Sequence, residues 1–182
     1  MVYLEIIAGP MFSGKTSELF RKINTHAMIN KNYLIIKPSI DSRHSELHIV
    51  THNLNKIECI SLLKLSDIFT HIQFNSCTTI FIDEGQFFTD LKDSTLEILE
   101  KYNKNVIISG LIGDFNRKKF GQILDLIPYC DCDKITFLSA LCLHCMDGTS
   151  ASFSHRNVNS RDQVLVGDNY TSLCRKHFLE LN

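Results

Sequence analysis

A chain of 182 residues with 44% hydrophobic side chains can bury the core of one domain carrying at most a small appendage. Its 19 Lys+Arg against 20 Asp+Glu leave a formal charge of -1, which argues against a protein that lives on a nucleic-acid backbone. Ordinary apolar content without a long single-sign charge block excludes a disordered chain. The opening run Val2–Ala8 contains an acid and lacks a basic lead, unlike a secretory signal. No stretch nears the roughly 18 apolar residues of a membrane span. The seven cysteines therefore read as reduced thiols or metal ligands, and the expected setting is the cytoplasm, away from membranes.

In chain order, Tyr3–Ile7 is a short apolar run that stops at Ala8-Gly9-Pro10, a strand entering a turn. Residues 14–30 then change to helical spacing, with Leu19, Ile23 and Ala27 on one face and Phe20 and Met28 widening it. Tyr33–Ile36 predicts the next strand, ended by Lys37-Pro38. The polar stretch 39–60, rich in Ser, His and Asn, predicts a loop and a hairpin projecting from the sheet. Thr78–Ile82 and Asn105–Ile108 are two further β-rich runs, and Leu91, Leu96, Ile98 and Leu99 place a helix between them. Strands separated by helices imply parallel βαβ units, an α/β sheet flanked by helices. After residue 138 come Cys pairs, small residues and short β-like runs (Ala151–Phe153, Val164–Val166). The expected division is a nucleotide-binding α/β domain over 1–138 and a small zinc-binding β-subdomain over 139–182.

Three patterns carry chemistry. Gly9-Pro10-Met11-Phe12-Ser13-Gly14-Lys15-Thr16 matches G-x4-G-K-[ST], with a strand before it and a helix after. Such a loop wraps phosphates in backbone N–H groups at a helix N-terminus; Lys15 reaches the outer phosphates and the Thr16 hydroxyl takes Mg²⁺. The second pattern, Asp83-Glu84, stands at the end of a strand parallel to the one before the loop. Both acids thus face the phosphates: Asp83 suits the Mg²⁺ shell, and Glu84 suits the base that takes a proton from the attacking water or hydroxyl. The third is Cys142-x2-Cys145 with Cys174-x2-His177, the spacing of a closed tetrahedral Zn²⁺ site, with His144 and His155 as alternative fourth ligands. Cys59, Cys77, Cys130 and Cys132 read as bystanders. Arg43, alone in Asp41-Ser42-Arg43-His44, reads as a solvated side chain. Phe87, Phe88, Phe115 and Phe120 come after two strand ends, where a planar base could lodge.

The phosphate loop, Asp83-Glu84-Gly85-Gln86-Phe87-Phe88, Gly113–Phe120 and the two metal pairs together resemble the type II thymidine kinases, the cytosolic and poxvirus-like family, across essentially the whole chain. The resemblance implies ATP and thymidine as substrates, with γ-phosphoryl transfer to the 5′-hydroxyl and Glu84 as base. It implies that Asp41 joins the phosphate and metal residues and that Arg43 steadies the transferring phosphate, with Thr51-His52 matching a further family element. It implies Gln86, Phe87, Phe115 and Phe120 near the nucleoside, and a base-covering "lasso" at Gln163, Val164, Leu165, Val166 and Gly167 with Tyr170, tied to a structural Zn²⁺. It further implies a homotetramer, feedback inhibition by dTTP, and no nucleic-acid or membrane partner. This chain has His177 where the family commonly has Cys, Asp114 where Thr is usual, Ile112 where Asp is usual, and a lasso two residues shorter. Two other readings fit parts of the pattern: a nucleoside-monophosphate kinase with a zinc-bearing lid, and a zinc-ribbon ATPase acting on nucleic acid.

Overall fold

The computed structural model describes residues 2–29, 32–40, 48–50, 56–158, 162–164 and 169–181. Six parallel strands form the central sheet: β1 (Leu4–Ala8), β2 (Tyr33–Pro38), β5 (Ile60–Leu62), β6 (Thr79–Ile82), β7 (Asn105–Gly110) and β8 (Ile135–Phe137), in the spatial order β5-β2-β6-β7-β1-β8. A separate antiparallel pair, β3 (His48–Val50) with β4 (Lys56–Glu58), precedes β5. The inner strands read as almost unbroken Ile, Leu, Val and Phe because helices cover both faces of the sheet.

Strand periodicity decides which side chain meets which layer. Ile7, Ile35, Phe81 and Ile107 pack with Leu19, Phe20 and Ile23 of α1 (Lys15–Met28). Their neighbours Ile6, Ile36, Ile80, Ile82, Val106 and Ile108 pack on the opposite face with Leu91, Ile98 and Leu99 of α2 (Leu91–Glu100) and with the 3₁₀ segments Leu65–Thr70 and Ile123–Tyr129. The helix predicted over 14–30 thus runs over 15–28. Gly14, in the left-handed region at φ 82°, forms the corner from which it starts, a conformation that disfavours any side chain with a Cβ.

The stretch 39–60 contains the hairpin expected of it, yet the chain continues straight into β5, which joins the sheet as an edge beside β2. At the other edge, β8 pairs with β1. Strands of three residues are too short for periodicity to announce, so both edges escaped the sequence pattern.

From Ala140 the chain leaves the sheet. β9 (Ala140–Leu141) pairs with β10 (Ser150–Ala151), β11 (Phe153–Arg156) pairs with β12 (Tyr170–Leu173), and α3 (Arg175–Leu181) closes the unit over its own small core of Ala140, Cys142, Ala151, Leu173 and Phe178. The sequence pattern announces neither β12 nor α3. The β-like run expected at Val164–Val166 lies mostly outside the described residues, and Val164 is not in a strand. Among the described residues, no helix is long and apolar enough to cross a membrane.

Candidate active site

The C-terminal ends of β1, β6 and β7 lie side by side, so the segments leaving these strands meet at one mouth. After β1 come residues 9–14, then α1. The Lys15 side chain is buried and folds back over the loop, its Nζ donating to the Pro10 carbonyl at 2.7 Å. Ser13 Oγ donates to the same carbonyl at 2.9 Å. Phe12 holds a left-handed conformation at φ 63°, and the Met11 N–H is engaged from outside the loop by Ser154 Oγ at 2.9 Å.

After β6 comes Asp83, buried at 5% exposure. It accepts from Thr16 Oγ1 at 3.3 and 3.5 Å and from Ser109 Oγ at the end of β7. Thr16 and Asp83, expected to share a divalent cation, are therefore in contact. Glu84 comes next with φ 51° and ψ 42°, a left-handed backbone costing about 1–2 kcal/mol for a residue with a Cβ. That turn sends the chain off the strand axis into the 3₁₀ segment Gly85–Phe87, and the Glu84 carboxylate accepts from Gln86 Nε2 at 2.5 Å.

Gln86 was expected among ligand-contacting residues; it is 3% exposed, with both ends of its amide occupied. Its Oε1 accepts from Leu111 N at 2.9 Å while its Nε2 holds Glu84. Its backbone lies so close to Gly121 (φ 62°) that a Cβ there would stand 2.3 Å from the Gln86 carbonyl oxygen. Gln86 is thus held by the protein on three sides, at Glu84, Leu111 and Gly121.

The aromatic residues divide. Phe88 is fully buried in the sheet core. Phe87 and Phe120 meet edge to face at 5.5 Å. Phe115 lies beneath Arg156, whose guanidinium carbon is 3.7 Å from the ring centroid. Gln163 Nε2 donates to Asp114 Oδ2 at 2.9 Å, and Tyr170 Oη accepts from Arg156 at 2.8 Å. Asp41, Arg43, Thr51, His52, Leu165, Val166 and Gly167 lie outside the described residues.

In the C-terminal unit Cys142, Cys145, Cys174 and His177 converge, with ligand atoms all within 4.8 Å of one another. His177 Nδ1 stands 3.3 Å from Cys145 Sγ and 3.5 Å from the other two sulfurs, and Cys145 and Cys174 are 3.8 Å apart. A tetrahedron around Zn²⁺ has S···S edges of about 3.8 Å and N···S edges of about 3.5 Å, so this donor set fits a metal. Burial works against a Cys142 thiolate, but the N–H groups of Cys174, Cys145 and His144 and the His177 ring aim at its sulfur and bring its pKa down to about 5. Of the alternatives for fourth ligand, His144 lies outside the tetrahedron with its ring 5.5 Å from that of His177, and His155 packs against Phe178. His177 completes the set.

Sequence reasoning missed four contributors. Ser109 could have been found, because it ends the strand beside Asp83. Asp114 stands out in the sequence only as a departure from the family pattern. Ser154 and Arg156 carry no signal, since neither belongs to a motif and their partners lie elsewhere along the chain.

The family model described as thymidine kinase matches residues 2–178. A thymidine kinase of Oryza sativa subsp. japonica is 36% identical over 183 residues, covering 97% of this chain and 66% of the relative. Thymidine kinase 1 of Dictyostelium discoideum is 39% identical over 178 residues, 94% of this chain and 75% of the relative. The thymidine kinase of variola virus is 36% identical over 180 residues, 98% of this chain and 97% of the viral protein.

Proposed function

This chain belongs to the thymidine kinase family, and from that premise we propose which of its residues carry the reaction. The activity is phosphorylation of thymidine at the expense of ATP. Glu84 accepts the proton of the thymidine 5′-hydroxyl as that oxygen attacks the γ-phosphorus. The bond from γ-phosphorus to the β,γ-bridging oxygen breaks, leaving dTMP and ADP. Residues 9–16 hold the phosphates through loop N–H groups and Lys15, Asp41 joins the residues that bind ATP, and Arg43 steadies the group in flight. Thr16 and Asp83 would hold Mg²⁺, which supplies positive charge to the transferring phosphoryl group.

One observation carries this reading: a buried carboxylate, turned by a left-handed backbone and gripped by Gln86, adjoins the Asp83–Thr16 contact at the mouth of the phosphate loop. A site built from positioning needs its base immobile before substrate arrives. Phe87, Phe115, Phe120, residues 163–167 and Tyr170 take the nucleoside. The metal, Zn²⁺ on Cys142, Cys145, Cys174 and His177, is structural: a closed set of four protein ligands offers no position for substrate. Because dTTP carries the product's base and a triphosphate, it would inhibit by occupying both halves of the site. A homotetramer is the proposed assembly, to be read from mass in solution. Thiolate ligands favour the reducing cytoplasm.

The test is transfer of labelled γ-phosphate from ATP to a panel of nucleosides and nucleoside monophosphates by the wild-type chain and Glu84→Gln. We expect label on thymidine and a 10²–10⁴-fold drop of kcat in Glu84→Gln, with ATP affinity kept. Label on a monophosphate, or undiminished turnover in the variant, would refute the assignment.

A further inference from the structure

Strand β11 presents two faces, and its four residues divide between them. Phe153 and His155 pack on Phe178 inside the zinc unit, with ring centroids 5.1 and 6.3 Å away. Ser154 and Arg156, both about 6% exposed, point the other way. Ser154 reaches the Met11 N–H of the phosphate loop. Arg156 donates from Nη1 to the Asp162 carbonyl, and from Nη2 to the Gln163 carbonyl at 2.9 Å and to Tyr170 Oη at 2.8 Å. Its plane also covers one face of Phe115. One guanidinium thus joins the chain before and after residues 165–168 to an aromatic ring of the α/β domain.

We propose that Arg156 is the positioning residue of the nucleoside side of the site, coupling strand β11 of the C-terminal unit to Phe115, Asp162, Gln163 and Tyr170. The proposal rests on the reading that Phe115, Gln163 and Tyr170 belong to the thymidine site. Planar geometry suits the task. A guanidinium can stack on a ring while its in-plane N–H groups serve two carbonyls and a hydroxyl, whereas an ammonium reaches one or two of these and stacks poorly. Tyr170 is also the cross-strand partner of Arg156 in the β11–β12 pair, so backbone pairing fixes their relative position before the side chains meet. Asp114 adds a second tie: its Oδ1 caps the turn at Asn116 and Lys118, and its Oδ2 accepts from Gln163. Arg156 acts through these neighbours, so its loss should register as weaker nucleoside binding and leave the chemical step and ATP binding in place.

The experiment compares wild type, Arg156→Lys and Arg156→Met for thymidine KM, ATP KM, kcat and bound zinc, with thymidine binding also measured directly by calorimetry. Arg156→Lys is expected to raise thymidine KM about tenfold, and Arg156→Met about thirtyfold or more, with ATP KM within about twofold and zinc content unchanged. Lys keeps the charge and fills similar space, so it reports even if the Met variant does not fold. Equal rises in both KM values, or loss of zinc in Arg156→Lys, would make Arg156 a residue of general stability and overturn the proposal, as would an unmoved thymidine KM. A wild-type chain that neither binds nor phosphorylates thymidine sinks the functional reading instead.

Discussion

The mouth of the phosphate loop and the C-terminal Cys/His unit are built on opposite principles. The mouth stands on strands covered on both faces, and its phosphate-loop motif and buried acids come from two short stretches of chain, residues 9–16 and 83–86. Among its described residues the C-terminal unit has a core of five buried residues and two-stranded ribbons, little to hold it against chain entropy. Cys142, Cys145, Cys174 and His177, gathered within 4.8 Å, could substitute for that missing core by holding one ion. On the proposed reading each half holds what its construction can fix: phosphoryl transfer, which tolerates little displacement, would sit on the sheet, and the segment that closes on Phe115 from the other side would sit on the small C-terminal unit. Damage should therefore divide cleanly, kcat to one half and thymidine KM to the other.

Glu84→Gln is the largest expected effect and falls on the first half alone. Next is metal removal by chelation or Cys145→Ser. We expect thymidine KM to rise at least about tenfold with ATP binding retained, because the segment that carries Arg156 and Tyr170 loses its anchor. Hydrogen exchange sharpens the point: amides of β11 and β12 should lose protection while those of β1, β6 and β7 keep theirs. Protection lost in step across all five strands would show a single cooperative unit and break the comparison.

Gln86→Leu probes how the first half is held. The substitution removes the donor to the Glu84 carboxylate and leaves the Leu111 N–H without its acceptor, both in a buried site. We expect kcat to fall about tenfold with thymidine and ATP KM little changed, equivalent to about 1.4 kcal/mol of transition-state stabilisation. A rise in thymidine KM at constant kcat would instead place Gln86 among the nucleoside contacts, as its position in the Asp83–Phe88 segment suggests.

This division also marks how far the sequence could be read. Residues 9–16 and the pair Asp83–Glu84 were legible because phosphate wrapping and strand-end acids need fixed residue types at fixed local spacing. The cluster Cys142, Cys145, Cys174 and His177 was legible for the same reason, and the structure sets aside His144 and His155 as alternatives to His177. Gln86 was seen as a residue near the ligands, but its bonds to Glu84 and Leu111 were not legible, since a side-chain amide serves a carboxylate, a backbone N–H or a base equally well. Arg156 was invisible: its partners lie at 115, 162, 163 and 170, and no spacing rule connects them. Edge strands β5 and β8 were lost through shortness.

The smallest effect tests whether the sheet layers are stable independently of the metal. Asp90, at the start of α2, accepts from Leu65 N at 3.0 Å, Ser66 N at 2.9 Å and Ser94 Oγ at 3.2 Å, tying the 3₁₀ segment Leu65–Thr70 to the helix. Burial raises its pKa, but the N–H groups of Ser66 and Leu65 outweigh this and leave it below the ordinary Asp value of 3.8. A carboxyl whose pKa is lowered by folding stabilises the protein above its unfolded pKa, and that contribution fades as pH falls through the folded value. Asp90→Ala should therefore cost about 1 kcal/mol near neutrality, or roughly 2–4 °C in Tm, and the gap to wild type should narrow steadily below pH 4. Because Asp90 belongs to the sheet half, the same gap should appear with the metal removed. A Tm difference that vanishes on chelation would mean that the unit at the chain's end also supports α2, and the two halves would no longer be separable.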